Sequence, residues 1–183
     1  GQVLFDGLLA QAVFEDLEVK RALYATIEQH RGGSTIVTSN TSTIPLARLV
    51  EGRDAGFVAH FGISHFFNPP RHLPLLEVVA GPATDPSVVE RLVAAGDHQL
   101  GKTVLRCRDT PGFLANRIGN FWMAVAAAEA LRGEVDIETA DAVMARHFGT
   151  PRTGVFGLFD LVGVNLVPLI WTSFLELLPA SDA

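Results

Sequence analysis

The sequence predicts an α/β layer built on a parallel sheet over residues 1–109, followed by an all-α segment over 110–183. Three observations carry that division. Residues 8–39 read strand, helix, strand, and a βαβ unit of about 30 residues implies a parallel sheet. Asp109-Thr110-Pro111-Gly112 then breaks the pattern. Beyond it no strand signal occurs, and only helical spacing continues. With 183 residues, 48% of them hydrophobic, the chain can bury a substantial core.

Leu8-Leu9-Ala10-Gln11-Ala12-Val13 is a short apolar run and predicts a buried strand. Residues 15–30 predict a helix. Glu15, Asp16 and Glu18 lie at its start, where the helix dipole favours acids, and Leu17, Leu23 and Ile27 supply an apolar stripe. Gly32-Gly33 ends it. The β-branched run from Ser34 to Ser39 predicts the next strand.

Asn40-Thr41-Ser42 follows that strand. Ligands of open parallel sheets bind at the carboxyl ends of strands, where small polar side chains can reach them. The same residues also suit a simpler part, shaping the turn and capping a short helix around residues 45–51. Residues 57–63 predict a strand that ends at His65, and residues 75–79 a strand that pairs back. Residues 86–100 predict a helix with Val88, Val89, Leu92 and Val93 inward and Gly101 as its stop. Residues 103–106 complete the sheet.

Residues 113–131 are apolar on nearly every side, which predicts a helix buried between partners. Asn116 and Asn120 share one of its faces. An amide there needs a hydrogen-bond partner, and a polar contact between helices is the plainest one. Asp136 predicts an N-cap for a helix over 137–147. Residues 149–157 predict a loop, and residues 158–174 two short apolar helices separated near Gly163. Trp122 and Trp171 suit a core or a dimer interface.

One stretch carries candidate chemistry: Ser64-His65-Phe66-Phe67-Asn68-Pro69-Pro70, with Glu77 inside the apolar run Leu75-Leu76-Glu77-Val78-Val79. A lone acid in such a run is costly to bury without a partner. His65 is the nearest candidate. A carboxylate that accepts one imidazole N–H fixes the tautomer and leaves the other nitrogen to take a proton. A core histidine and an edge-strand glutamate that never meet fit the same spacing.

Composition excludes several classes. The formal charge is −6 and no basic stripe occurs, which argues against nucleic-acid binding. The single cysteine, Cys107, forms no internal disulfide and suits a reducing, cytoplasmic setting. It reads as a strand residue without chemistry. No apolar run reaches the roughly 18–20 residues of a membrane span. The start lacks the basic flank of a signal peptide. His60, His72, His98 and His147 have no spaced acidic or cysteine partners, so no metal site is expected.

His65-Phe66-Phe67-Asn68-Pro69 followed by Leu76-Glu77-Val78 resembles the 3-hydroxyacyl-CoA dehydrogenase family of fatty-acid β-oxidation. Three further segments match in the same order: Ser39 to Ser42, Asp109-Thr110-Pro111-Gly112-Phe113-Leu114-Ala115-Asn116-Arg117, and Phe159-Asp160-Leu161-Val162-Gly163. Asn68-Pro69-Pro70-Arg71-His72-Leu73 and the segment Thr150 to Gly157 look most like long bacterial forms, in which the dehydrogenase is fused to an enoyl-CoA hydratase.

The resemblance implies the C-terminal half of a Rossmann-type NAD-binding domain, then an incomplete helical domain for substrate and dimerisation. It implies NAD as cofactor, an acyl-CoA substrate, a homodimer through the helical domain, and a fused or associated hydratase. It implies His65 as general base, Glu77 as its orienting partner, and Ser42 and Asn116 as holders of substrate oxygens. Asn40 is expected near the nicotinamide. Glu15, Lys20 and, weakly, Gln11 are expected near the cofactor; Gln11 stands where the family usually has Glu. Lys20 also suits a solvated helix lysine. No G-x-G-x-x-G occurs, so by resemblance the chain begins midway through the cofactor domain. Two other readings follow. One is a dehydrogenase of the same family acting on a non-CoA 3-hydroxy acid or sugar acid. The other is an inactive module for folding and dimerisation.

Overall fold

The computed structural model describes residues 2–5, 8–11, 15–147 and 152–179, with side chains from 15–146 and 152–179. Contacts divide the chain into two compact units, Gly1–Leu114 and Ala115–Ala183.

The first unit is a six-stranded mixed sheet in the order β1-β2-β3-β4-β5-β6. β1 (Gln2–Phe5) pairs antiparallel with β2 (Leu8–Gln11), an edge strand not anticipated from the sequence. Of the strand predicted at residues 8–13, the last two lie outside the described residues. α1 (Leu17–His30) crosses to β3 (Ile36–Ser39), which runs parallel to β2, as the βαβ spacing predicts. Asp16 caps α1 by accepting from the Val19 amide at 2.9 Å, so Glu15 lies just outside the helix.

The next segment departs from the sequence reading. The predicted strand over 57–63 is instead α3 (Ala55–Ala59), followed by β4 (Phe61–Phe66). The cause is local: the Asp54 carboxylate accepts from the Phe57 amide at 2.7 Å and starts the helix. α2 (Leu46–Leu49) has no side-chain cap from Asn40 or Ser42. Asp109, 63 positions on, accepts from the Leu46 amide with both oxygens at 3.0 Å. The predicted local cap is therefore replaced by a long-range one.

β4 runs parallel to β3, and β5 (Leu75–Ala80) pairs back antiparallel as predicted. The turn between them holds a cis peptide at Asn68-Pro69. α4 (Pro86–Ala94) continues into a π-helical turn over Ala95–Gln99 rather than one regular helix to residue 100. β6 (Thr103–Cys107) lies parallel to β5.

Period-two alternation sorts the core. Leu76 and Val78 of β5 face Ile36, Val88 and Leu92. Val79 joins Phe61, Ile63, Tyr24, Val37, Phe57 and Phe113 on the opposite face. His65 and Glu77 share the parity of that second face.

In the second unit the described residues form helices only: α5 (Ala115–Arg132), α6 (Ile137–His147), α7 (Phe156–Val162) and α8 (Val167–Leu177). Asp136 accepts from the Thr139 amide at 2.8 Å, as predicted for an N-cap. α7 and α8 part at Gly163, whose φ of +106° suits glycine. α5 is less enclosed than its composition predicts. Met123, Ala126, Ala127 and Ala130 are buried, whereas Ile118 and Phe121 are 61% and 72% exposed. Trp122 packs on the side of Ala126 and Ala127, whereas Ile118 and Phe121 stand out from it. No single helix among the described residues is long and apolar enough to cross a membrane.

Asp141 of α6 ties this unit together by accepting from the Phe156 and Gly157 amides at 2.8 and 2.9 Å. Gly154 makes that approach possible. Its φ is +70°, and a Cβ there would lie 2.5 Å from the Asp141 backbone. We expect Gly154→Ala to destabilise the protein by about 2 kcal/mol or more, since strained backbone and overpacking each cost ~1–3 kcal/mol. Urea unfolding followed by circular dichroism measures this, and an unchanged midpoint would contradict it.

Candidate active site

Direct cross-strand pairing places His65 of β4 opposite Glu77 of β5. Opposed residues on one face have Cβ atoms about 4.5–5.5 Å apart, close enough for the side chains to meet. His65 Nδ1 lies 2.8 Å from Glu77 Oε2, and the two residues are 6% and 0% exposed. Of the two sequence readings, the paired one is therefore observed. An ionised carboxylate only accepts, so Nδ1–H is the donor of this contact, and in the neutral ring Nε2 keeps its lone pair.

The other carboxylate oxygen is also held. Oε1 accepts from the Leu114 amide at 3.0 Å, and the Cys107 thiol lies 3.7 Å away. Cys107 thus has a neighbour that the sequence did not reveal. Burial pushes its thiol up to about 11, helped by the Glu77 charge, which keeps it protonated near neutral pH. The His65 ring sits between Phe67, 4.5 Å away edge-on, and Phe113, 5.6 Å away.

Asn40 joins this group through the backbone. Its Oδ1 accepts from the Phe66 amide at 2.8 Å, tying the end of β3 to the residue after His65. With Oδ1 so engaged, Asn40 has its amide N–H groups to offer a ligand.

Glu15, Lys20 and Ser42 form a second group beside it. Glu15 accepts from the Thr41 hydroxyl, from the Ser42 amide at 3.2 Å and from the Thr43 hydroxyl at 3.2 Å. Lys20 Nζ lies 3.2 Å from Glu15, and Lys20 is 1% exposed. The reading of Lys20 as a solvated helix lysine is thereby overturned. Tyr24 lies under the same group, bonded to Ser39, and burial pushes its phenol up to about 12. Glu15 and Lys20 thus shape the Asn40–Thr43 turn from below. Thr41 is central to this arrangement, yet its only sequence signal was its place in the Ser39–Ser42 motif.

Gln11 pairs with Ser39 along β2 and β3, and its side chain lies outside the described residues. Asn116 stands in the first turn of α5, in the second unit. Its helix neighbour Asn120 donates to the Asn116 carbonyl at 2.8 Å and accepts from Trp171 Nε1 at 3.0 Å, the contact between helices that the sequence suggested for this face. No group of three His, Cys, Asp or Glu side chains among the described residues is arranged to hold a metal.

Comparison with known proteins adds the following. A family model described as 3-hydroxyacyl-CoA dehydrogenase, NAD binding domain, matches residues 6–110, and one described as the C-terminal domain of the same enzyme matches residues 112–182. A Rickettsia felis protein named as a fatty acid oxidation complex trifunctional enzyme is 41% identical over 176 residues, which is 96% of this chain and 24% of that protein. A Bacillus subtilis protein named as a 3-hydroxyacyl-CoA dehydrogenase is 40% identical over 157 residues, 86% of this chain and 20% of its own length. The chain thus spans about a quarter or less of the length of these relatives. Among solved structures, 3-hydroxybutyryl-CoA dehydrogenase from Escherichia coli K12 superposes with a TM-score of 0.83 at 33% identity, covering 93% of this chain and 35% of that one. FadB2 of M. tuberculosis gives 0.85 at 29% identity, covering 97% and 62%. The sheet is therefore Rossmann-like, and the helices after it correspond to the C-terminal domain.

The clamp on the Asn40–Thr43 turn has a defined pH dependence. Burial alone would raise the Glu15 pKa, but the Thr41 hydroxyl, the Lys20 charge and the Ser42 amide together bring it below its ordinary 4.5. A depressed carboxylate contributes stability that is complete above the ordinary value and is lost as pH falls through the lowered one. We expect the Ser42 amide NMR signal to titrate with a midpoint below 4.5. A midpoint at or above that value would contradict the clamp.

Proposed function

This chain belongs to the 3-hydroxyacyl-CoA dehydrogenase family, and from that premise we propose that the whole protein oxidises an L-3-hydroxyacyl-CoA to the 3-ketoacyl-CoA with NAD. The observation that carries the reading is the buried 2.8 Å contact between His65 and Glu77 at the carboxyl end of β4. His65 takes the hydroxyl proton of the substrate on Nε2. Glu77 holds the ring by Nδ1 and stabilises the imidazolium that forms. General-base catalysis of this kind contributes about 10²–10⁴-fold. Ser42 and Asn116 are assigned to the substrate oxygens.

The residues at the carboxyl ends of β2 and β3 fit the nicotinamide half of NAD, because parallel strands end there in small polar groups beside the Glu15–Lys20 ion pair. Asn40, with Glu15, Lys20 and Gln11 around it, would hold that half. Bound NAD supplies the hydride acceptor, and the protein supplies geometry and the base.

The name of the Rickettsia relative supports a protein with further activities on one chain, for which an enoyl-CoA hydratase is our candidate. We assign the protein to the cytoplasm, and a homodimer to the helical unit, where Ile118 and Phe121 are exposed. A second reading, a substrate without CoA, draws on a diketoreductase structure that matches at 27% identity with a TM-score of 0.73. The acyl-CoA reading is preferred on the relatives at 40% identity and above.

The first experiment is NAD binding by this chain, followed by turnover of acetoacetyl-CoA against a non-CoA 3-keto acid. His65→Gln in the whole protein is expected to lower kcat by about 10²-fold or more while leaving NAD affinity within about twofold. Near wild-type turnover in that variant would remove the base assignment.

A further inference from the structure

We propose that Phe113, with the Leu114 amide that it aims, is the positioning element of the His65–Glu77 pair, a proposal that rests on the reading of that pair given above. Phe113 has φ of +47°, and Gly112 before it +72°. A bulky aromatic residue in this region is an outlier that costs about 1–3 kcal/mol and persists only where its surroundings over-determine it. Two features of the site do so, one from the ring and one from the backbone.

Phe113 is 5% exposed and belongs to the buried cluster that contains Tyr24, Phe57, Phe61, Ile63 and Val79. Its ring also lies 5.6 Å from the His65 ring, at 59° to it. Phe67 lies against the same imidazole at 4.5 Å. The imidazole is thus bounded by two rings that limit its rotation. Only one of them, Phe67, belongs to the His65 turn. The other arrives from the far end of the unit.

The backbone does the second job. The Phe113 amide closes a turn on the Thr110 carbonyl at 2.9 Å. The left-handed conformation at Phe113 then brings the Leu114 amide to Glu77 Oε1 at 3.0 Å. The Cys107 thiol near the same oxygen is a weaker partner, at 3.7 Å and also 3.9 Å from the Leu105 carbonyl. A donor on Oε1 opposes rotation about the Glu77 Cγ–Cδ bond and so helps to keep Oε2 on Nδ1. Ring and amide therefore act on different members of the pair, through one residue with an unusual conformation.

The test compares Phe113→Val and Phe113→Gly in this chain by amide hydrogen exchange and by the ring N–H signal of ¹⁵N-labelled His65. Valine disfavours positive φ, whereas glycine accepts it. In Phe113→Val we expect the Leu114 amide to exchange about tenfold faster, the worth of one hydrogen bond, relative to the Ile63 and Val79 amides. In Phe113→Gly we expect Leu114 to stay protected while the His65 ring N–H exchanges faster. Equal acceleration at Leu114, Ile63 and Val79 in Phe113→Val would overturn the proposal, because Phe113 would then be core packing alone. If Phe113→Val does not fold, Phe113→Gly decides, and an unchanged His65 ring exchange overturns it. In the whole protein Phe113→Val is expected to lower kcat about tenfold with KM little changed, the pattern of a misplaced base. If His65→Gln retains turnover, the base reading fails, while the exchange results at Leu114 and His65 still stand or fall alone.

Discussion

The arrangement depends on a carboxylate with no access to water. Glu77 is 0% exposed in the middle of a sheet strand. An unpaired charge at such a depth costs several kcal/mol, and breaking a buried pair by removing one partner costs about 3–5 kcal/mol. The neighbours that meet that cost include the His65 ring, the Leu114 amide and the Cys107 thiol. They come from β4, from the end of the first unit and from β6. The carboxylate therefore gathers parts of the chain that are remote in sequence, and the site is assembled around it. A hydrophobic residue at 77 would pack more simply, so the acid is explained by what it holds rather than by stability.

Much of the fold was legible because local signals and tertiary structure agree. The βαβ unit, the return of residues 75–79 against β4, the Asp136 cap and the break at Gly163 all rest on short-range chemistry that the packed chain keeps. The misreadings have physical reasons. Phe57, Val58 and Ala59 look like a strand until the Asp54 cap is counted, and three apolar residues alone cannot distinguish the two. α2 lacks a local cap because Asp109 supplies one from 63 positions away. β1 is a four-residue edge strand, too short to signal itself, and only the Asp6-Gly7 pair, a favoured hairpin turn, marks it.

The site was legible where both partners sit on one hairpin, and illegible where they do not. His65 and Glu77 are 12 positions apart, and their apolar setting already demanded a partner. Lys20 gave no such signal, because a lysine that points inward looks the same in a helical pattern as one that points out. Its partner Glu15 lies outside the helix and is engaged by Thr41 and Thr43, 26 and 28 positions on. Phe113 was hidden for a similar reason. Gly112 precedes it and accounts for a turn by itself, so nothing in Pro111-Gly112-Phe113 announces a second left-handed residue.

The reversal of direction between β4 and β5 explains why these groups converge. β2, β3 and β4 run parallel, so Gln11, Ser39 with Asn40 beyond it, and His65 all come at one edge of the sheet. Had β5 also been parallel, its first residues would lie at the opposite edge, and an acid there would be a sheet's length from His65. Because β5 returns antiparallel, its start is level with the end of β4, and register opposes Glu77 to His65. β6 runs parallel to β5, so its end, with Cys107, points the other way, and the chain must come back before Leu114 can reach Glu77. Gly112 and Phe113, both with positive φ, make that return over a few residues. The hairpin thus supplies the pair, and the left-handed turn supplies its support.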